Sequence, residues 1–297
     1  MPSKESIEIR KTIIKDTLRE DISLQEERKE WENYALSLPL AEGIELREEI
    51  IDGVPCLWVY GEQSRQDQVI VYVHGGGLVT GSPRTHREFA SRLVKETQVS
   101  VLLVDYRLAP ENPYPAGLQD VQAVYRALIK ERFQPYQIVF GGDSSGGGLA
   151  LSALVGLRDA GEDVPAGAFF ISGVFDCLLS GESMRTRAEL DPFTSQEVLA
   201  NCIRLYAPYA DLRSPLISPL YADLTGMPSL LIQIGDHEIL LSDSIRLAGK
   251  SKQCGVTSYL RVWDDMWHTW PLYADFPEAQ GALQEISEFI RQVIKVG

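Results

Sequence analysis

The sequence predicts an α/β fold, a mostly parallel sheet flanked by helices and carrying a helical cap. Three observations carry that reading. From about residue 44 onward, short runs rich in Val, Ile and Leu alternate with helical stretches. One run ends in a glycine-rich turn around Ser144 that opens an apolar helix, and another ends at His74 with three consecutive glycines behind it.

Residues 1–38 place apolar side chains at Ile7, Ile14 and Leu18, then at Leu24 and Trp31. That spacing predicts two amphipathic helices ending at Pro39 and lying outside the sheet. Runs 45–51 and 55–60 have only short turns around them and read as antiparallel strands at one edge. Runs 69–73, 99–104, 138–140, 166–171, 230–234 and 258–262 read as further strands. Helices are expected at 85–95, 118–131, 146–159 and 242–252, with 278–294 closing the chain. Residues 180–228 carry five prolines (Pro192, Pro208, Pro215, Pro219 and Pro228) around an expected helix at 195–206, and break the alternation. The expected organisation is one domain over 1–297, capped by residues 1–40 and about 180–228. No internal repeat or low-complexity tract is evident.

Length and composition bound the function. At 297 residues the chain sits near the upper edge of a single core, and 44% hydrophobic with 24% charged residues is ordinary globular composition. The 42 acidic against 28 basic side chains give a net charge of −14, which disfavours nucleic acid and anionic lipid. The densest charged stretch, 19–32, mixes both signs and reads as a solvated helix face. There is no secretory signal at residues 1–10 and no membrane-length apolar run, so a soluble cytoplasmic protein is expected. Cys56, Cys177, Cys202 and Cys254 are scattered and read as small hydrophobes, with no metal or disulfide role.

Gly142, Ser144 and Gly146 form G-x-S-x-G between a strand and a helix, where a sharp turn exposes a serine hydroxyl. Composition alone gives about 0.15 chance matches to that pentapeptide, so its placement matters more than its occurrence. His74-Gly75-Gly76-Gly77 is far more specific, at about 0.002. Consecutive glycines let backbone amides approach an oxyanion. A phosphate cradle fails as the rival reading: Gly76 and Gly81 have the spacing, but Ser82 and Pro83 stand where Lys and Ser/Thr belong. Serine needs a base. Of the four histidines, His268 lies between the last strand and last helix, as the chain order serine, acid, histidine of α/β-hydrolases requires.

These motifs, with Asp105-Tyr106-Arg107-Leu108-Ala109-Pro110-Glu111, Tyr114-Pro115-Ala116 and Ser218-Pro219-Leu220, resemble the hormone-sensitive-lipase family of α/β-hydrolase carboxylesterases, near its small bacterial esterases and monoterpene lactone hydrolases. The resemblance implies a sheet of about eight strands, a cap made by the N-terminal helices and an insertion, and ester hydrolysis without a cofactor. Carried over, Ser144 is the nucleophile and His268 the base, and the amides of Gly76, Gly77 and Ser145 hold the oxyanion. Ser145 replaces the family's usual alanine. The 105–111 run is expected to be a structural arginine–carboxylate network.

The acid is either Asp236 or Glu238. The family usually has leucine two residues after the acid and about 30 residues between acid and histidine, and Leu240 with His268 satisfies both for Glu238. Glu238 is therefore expected, with Asp236 capping a turn or helix. The expected substrate is a small-molecule ester of short to medium acyl length. A lactone hydrolase of the same mechanism and a non-catalytic ligand receptor are the alternatives, and the retained His268 speaks against the receptor. A peptidase of this fold would carry a propeller for which there is no room. Tyr206, Tyr209, Phe175 and Met184 are candidates to line the pocket, with plain cap core as the competing reading. A homodimer is one option the sequence leaves open.

Overall fold

A computed structural model describes residues 2–13, 22–273 and 275–294. The expected Ile14 and Leu18 positions lie outside the described residues, as does the start of the 19–32 charged stretch. The apolar runs assemble into an eight-stranded sheet: β1 (Ile44–Ile51), β2 (Val54–Gly61), β3 (Arg65–Val73), β4 (Val99–Val104), β5 (Ile138–Asp143), β6 (Gly167–Ile171), β7 (Ser229–Gly235) and β8 (Ser258–Trp263), in the order β1-β2-β4-β3-β5-β6-β7-β8. β1 and β2 form a hairpin whose turn residues Asp52 and Gly53 both have positive φ, as a tight two-residue turn demands. β2 meets β4 antiparallel, and every pairing beyond is parallel. This is the expected sheet, with its two antiparallel strands at one edge.

Helices α1 (Lys4–Thr12) and α2 (Leu24–Ser37) precede the sheet. α3 (Pro83–Thr97), α4 (Ala116–Glu131) and α5 (Ser144–Asp159) follow β3, β4 and β5. α6 (Ser183–Thr186) and α7 (Gln196–Tyr206) lie between β6 and β7, α8 (Leu241–Gln253) follows β7, and α9 (Pro277–Val293) follows β8. The strand period of two divides the core. Val69, Val71 and Phe140 face Val121, Tyr125, Leu151 and Leu247 of α4, α5 and α8, while Ile70, Tyr72 and Val139 face Phe89, Leu93, Leu283 and Ile286 of α3 and α9. Among the described residues, no helix is long and apolar enough to cross a membrane.

The N-terminal helices correct one expectation. They exist, and Ile9, Ile13 and the expected Leu24 pack partly buried against the core, but the expected Ile7 and Trp31 are exposed, whereas Ser6 of α1 and Glu27 and Ala35 of α2 are buried. Polar contacts fasten them. Ser3 at the start of α1 donates from its amide and hydroxyl to Glu278 of α9. Arg28 of α2 donates to the carbonyls of Val79 and Ala109 and pairs with Glu111. The charged stretch is therefore not merely a solvated face, because Arg28 reaches the loop behind the three glycines.

Register places the site. Val73 of β3 pairs with Gly142 of β5, so His74 and Ser144 leave neighbouring parallel strands at nearly the same level. This is the carboxyl edge of the sheet, where parallel α/β proteins open their crevices.

Candidate functional site

Ser144 sits at the first position of α5, directly after β5, with φ of +50°. A residue with a Cβ is strained there, and only a turn locked on both sides holds it. The lock is close approach: a Cβ on Gly146 would strike the carbonyl oxygens of Val73 and His74, and one on Gly142 the carbonyl of Gly146. Glycine at both positions is thus a requirement of packing. The turn places the Ser144 hydroxyl at the N-terminal end of a sixteen-residue helix, whose free amides favour negative charge.

His268 lies on the loop after β8, between the buried rings of Trp267 and Trp270. Its Nε2 is 2.9 Å from Ser144 Oγ and its Nδ1 2.9 Å from Glu238 Oε2. Glu238, on the turn after β7, is fully buried. Its other oxygen accepts from the Gly235 amide and the Ser172 hydroxyl, each at 2.7 Å. Ser172 in turn accepts from the Thr269 amide at 2.9 Å, so one hydroxyl ties acid loop to histidine loop. Burial raises the Glu238 carboxyl above its usual range, with the His268 hydrogen bond opposing. Burial alone would lower the His268 imidazole, but the hydrogen bond and charge of Glu238 outweigh it and hold it above the ordinary value. Asp236 instead accepts from the Asp265 amide at 2.7 Å and pins the β8 turn.

The glycines after β3 form a tight turn in which Gly76 (φ +112°) and Gly77 (φ +65°) occupy left-handed conformations. A Cβ at Gly76 would strike the Thr80 carbonyl, and one at Gly77 the Cys202 sulfur of α7. Gly76 O accepts from the Val79 and Thr80 amides, which fixes the turn. His74 is wholly buried and stacks on Tyr106 with centroids 4.3 Å apart. Tyr106 of the 105–111 run donates to His74 O at 2.8 Å, and Arg107 pairs with Asp120, so that run does form a buttress.

A cavity of about 30 Å³ opens between Gly77 and Ser145, walled by Leu149 and Val174 and by Leu199, Cys202, Ile203 and Tyr206 of α7. Of the four expected lining residues only Tyr206 is in it. Phe175 packs edge-on against Phe170 in the core, Met184 is buried beside Leu199, and Tyr209 is fully exposed. Ser145 Oγ is buried without a hydrogen-bond partner. Sequence reasoning missed Ser172 and, Tyr206 apart, the α7 wall. Ser172 carried a readable signal, a small polar residue at the carboxyl end of a central strand. The α7 side chains carried none, because their contact with the glycine turn is purely tertiary. Among the described residues, no cluster of His, Cys, Asp and Glu converges as a metal site.

Chemically, an imidazole that can take the Ser144 proton, itself steadied by a buried carboxylate, makes the hydroxyl a nucleophile toward an electrophilic carbon. Comparison with known proteins agrees with that capacity. Residues 70–272 match the family model described as the alpha/beta hydrolase fold. An esterase of Acinetobacter venetianus is 38% identical over 230 residues, 76% of each chain. An acetyl-hydrolase of Streptomyces hygroscopicus is 37% identical over 79% of this chain and 78% of its own. The crystal structure of an esterase from the bacterial hormone-sensitive lipase family superposes with a TM-score of 0.93 at 40% identity, covering 99% of this chain and 100% of that one.

Proposed function

The chain belongs to the hormone-sensitive-lipase family of α/β-hydrolase esterases and is a carboxylic ester hydrolase; from that premise we propose that Ser144, His268 and Glu238 are its catalytic triad and that short acyl esters are its substrates. The observation that carries the assignment is the unbroken hydrogen-bond chain from Ser144 Oγ through both nitrogens of His268 to Glu238, beside the Gly76–Gly77 turn.

Ser144 Oγ attacks the acyl carbon as His268 Nε2 takes its proton, and Glu238 stabilises the imidazolium that results. The carbonyl oxygen becomes an oxyanion, held by the amides of Gly76, Gly77 and Ser145. Collapse breaks the ester bond, His268 returns the proton to the departing alkoxide, and the acyl group stays on Ser144. Water, deprotonated by His268, then attacks the acyl carbon, and as the bond to Ser144 Oγ breaks, His268 returns the proton to that oxygen and the acid leaves. Only the Ser145 amide is used, so serine in place of alanine leaves the step intact.

Acyl preference follows from room. A small, mostly apolar cavity of about 30 Å³ beside Ser145 supports short acyl chains over long ones. The N-terminal helices and the 180–228 segment are proposed as the cap, α7 supplying the pocket wall. Three of the four free cysteines are buried, which fits a reducing, cytoplasmic setting.

The test is a panel of p-nitrophenyl esters from acetate to decanoate, with fluorophosphonate labelling read by mass spectrometry. The expected result is one adduct, on Ser144, and rates that fall beyond butyrate. Labelling that persists in Ser144→Ala removes the triad assignment, and a maximum at decanoate removes the substrate class.

A further inference from the structure

Asp143 immediately precedes the nucleophile yet has no part in the proton relay. Its side chain is buried against the glycine turn, and a single oxygen, Oδ1, collects three donors: the Tyr72 hydroxyl at 2.9 Å, the Gly75 amide at 3.1 Å and His86 Nε2 at 3.2 Å. A carboxylate only accepts, so His86 presents Nε2–H to it. The donors come from three elements, β3, the turn and α3. At its other nitrogen His86 meets the Thr85 hydroxyl at 2.8 Å, a residue of the capping box of α3, so the ring is held at both nitrogens.

Gly75 is held at both ends. Its amide donates to Asp143, and its carbonyl accepts from His74 Nδ1 at 2.8 Å. Burial pushes the His74 imidazole down to about 3, so it is neutral, with its one N–H on Gly75 O. With the Gly75 peptide fixed, the directions of the next two amides are set by the left-handed φ of Gly76 and Gly77. Burial works against an ionised Asp143, but the proximity and hydrogen bond of His86, with the Tyr72 hydroxyl, prevail and hold it below the ordinary carboxylate value. Charge-assisted bonds are the stronger kind, and this one lies at the root of the oxyanion-binding turn.

We infer that Asp143 and His86 are positioning residues for the oxyanion hole: Asp143 anchors the Gly75 amide, and His86 with Tyr72 fixes Asp143, so that the amides of Gly76 and Gly77 are aimed at the oxyanion. The inference rests on the proposed roles of Ser144 and of those amides. An anchor of this kind acts on the transition state and leaves ground-state binding alone.

The experiment measures kcat and KM on p-nitrophenyl butyrate for His86→Leu, His86→Gln and Asp143→Asn, together with inhibition by an aryl trifluoromethyl ketone. Ser144 Oγ adds to that ketone's carbonyl carbon, its proton passing to His268 and the oxygen becoming a hemiketal oxyanion. His86→Leu and Asp143→Asn are expected to lose about 10- to 100-fold in kcat, with KM within threefold, and to lose ketone affinity by the same factor. His86→Gln, which keeps a donor, is expected to recover most of both. Folded variants with unchanged kcat and ketone affinity, or with a raised KM alone, overturn the inference. Should His86→Leu not fold, Tyr72→Phe deletes one donor to the same oxygen and must lower kcat and ketone affinity together, and an unchanged pair overturns the inference. The wild-type hemiketal, read by fluorine NMR and absent in Ser144→Ala, separates the two levels. If wild type forms none, the triad reading falls and the anchor with it; if it forms and the variants leave it unaltered, only the anchor falls.

Discussion

Phe193 lies face to face with the His268 imidazole, the ring centroids 5.5 Å apart and the planes 17° from parallel. Its amide donates to Asp191 Oδ1 at 3.0 Å, and Asp191 Oδ2 accepts from the Ile239 amide at 3.1 Å, one residue past Glu238. The segment before α7 thus covers His268 and is pinned to the loop of Glu238. An aromatic contact of this kind is worth about 0.5–1.5 kcal/mol. Phe193→Ala is expected to lower kcat/KM about 3- to 10-fold on p-nitrophenyl butyrate, mostly in kcat. An unchanged kcat would show that the ring is only a lid.

The pH profile follows from the raised pKa of His268. The base works only when neutral, so a raised pKa means that activity is lost sooner on acidification. The acid limb of kcat/KM should therefore lie above the ordinary imidazole value with unit slope. Glu238→Gln removes both principal causes of the elevation, so the limb moves to lower pH while the plateau falls about 10³- to 10⁴-fold. Superimposable limbs in the two proteins would contradict the assignment.

Asp236 supplies the matching control. Its carboxylate holds the Asp265 amide and does not reach His268. Asp236→Asn should cost less than about tenfold in kcat and about 1 kcal/mol in stability, the worth of one such bond. A larger kcat loss in Asp236→Asn than in Glu238→Gln would reverse the two roles.

Backbone strain at Ser144 is open to direct measurement. With φ at +50°, alanine keeps the strain and glycine relieves it, a difference of about 1–2 kcal/mol. Both Ser144→Ala and Ser144→Gly should be inactive, with the glycine variant melting about 3 °C or more above the alanine variant. Equal melting points would mean that the elbow is unstrained.

Asp243 on α8 gives stability a pH dependence unrelated to catalysis. It is buried and accepts from the amides of Phe175 and Asp176, each at 3.0 Å, yet burial pushes its carboxyl up to about 7. The folded state then holds the proton longer than the unfolded state, whose value is about 3.9. Stability from this group is complete below about pH 4 and is lost as pH rises through about 7. Asp243→Asn should raise Tm relative to wild type by several degrees at pH 8, with the gap narrowing as pH falls to 5. A gap that widened on acidification would refute the assignment.

The sheet was legible from local apolar runs, and Ser144 and the glycine turn from contiguous motifs. Strand runs announce themselves by β-branched residues, and the elbow and glycine turn are contiguous. The choice between Asp236 and Glu238 rested on spacing, and Glu238 is the carboxylate that meets His268. What the sequence concealed is tertiary. Of the expected apolar positions of α2, Leu24 packs on the core but Trp31 is exposed, while Glu27 goes inward. Phe175 and Tyr209 sit in similar sequence surroundings, yet one fills the core and the other is wholly exposed. Periodicity identifies the buried face of a helix best when apolar burial alone holds it, and α1 and α2 are held by Ser3, Arg28 and their polar partners as well as by Ile9 and Leu24.

The pairing of Val73 with Gly142 separates inheritance of the reaction from inheritance of its clientele. Ser144 and the glycine turn leave adjacent strands at the same rung, about 4.8 Å apart, and that spacing is set by backbone hydrogen bonding between the strands. The segment between β6 and β7 that walls the cavity hangs on loops. Substitutions on α7 therefore reshape the cavity wall while the strand register beneath Ser144 and the glycine turn stays the same.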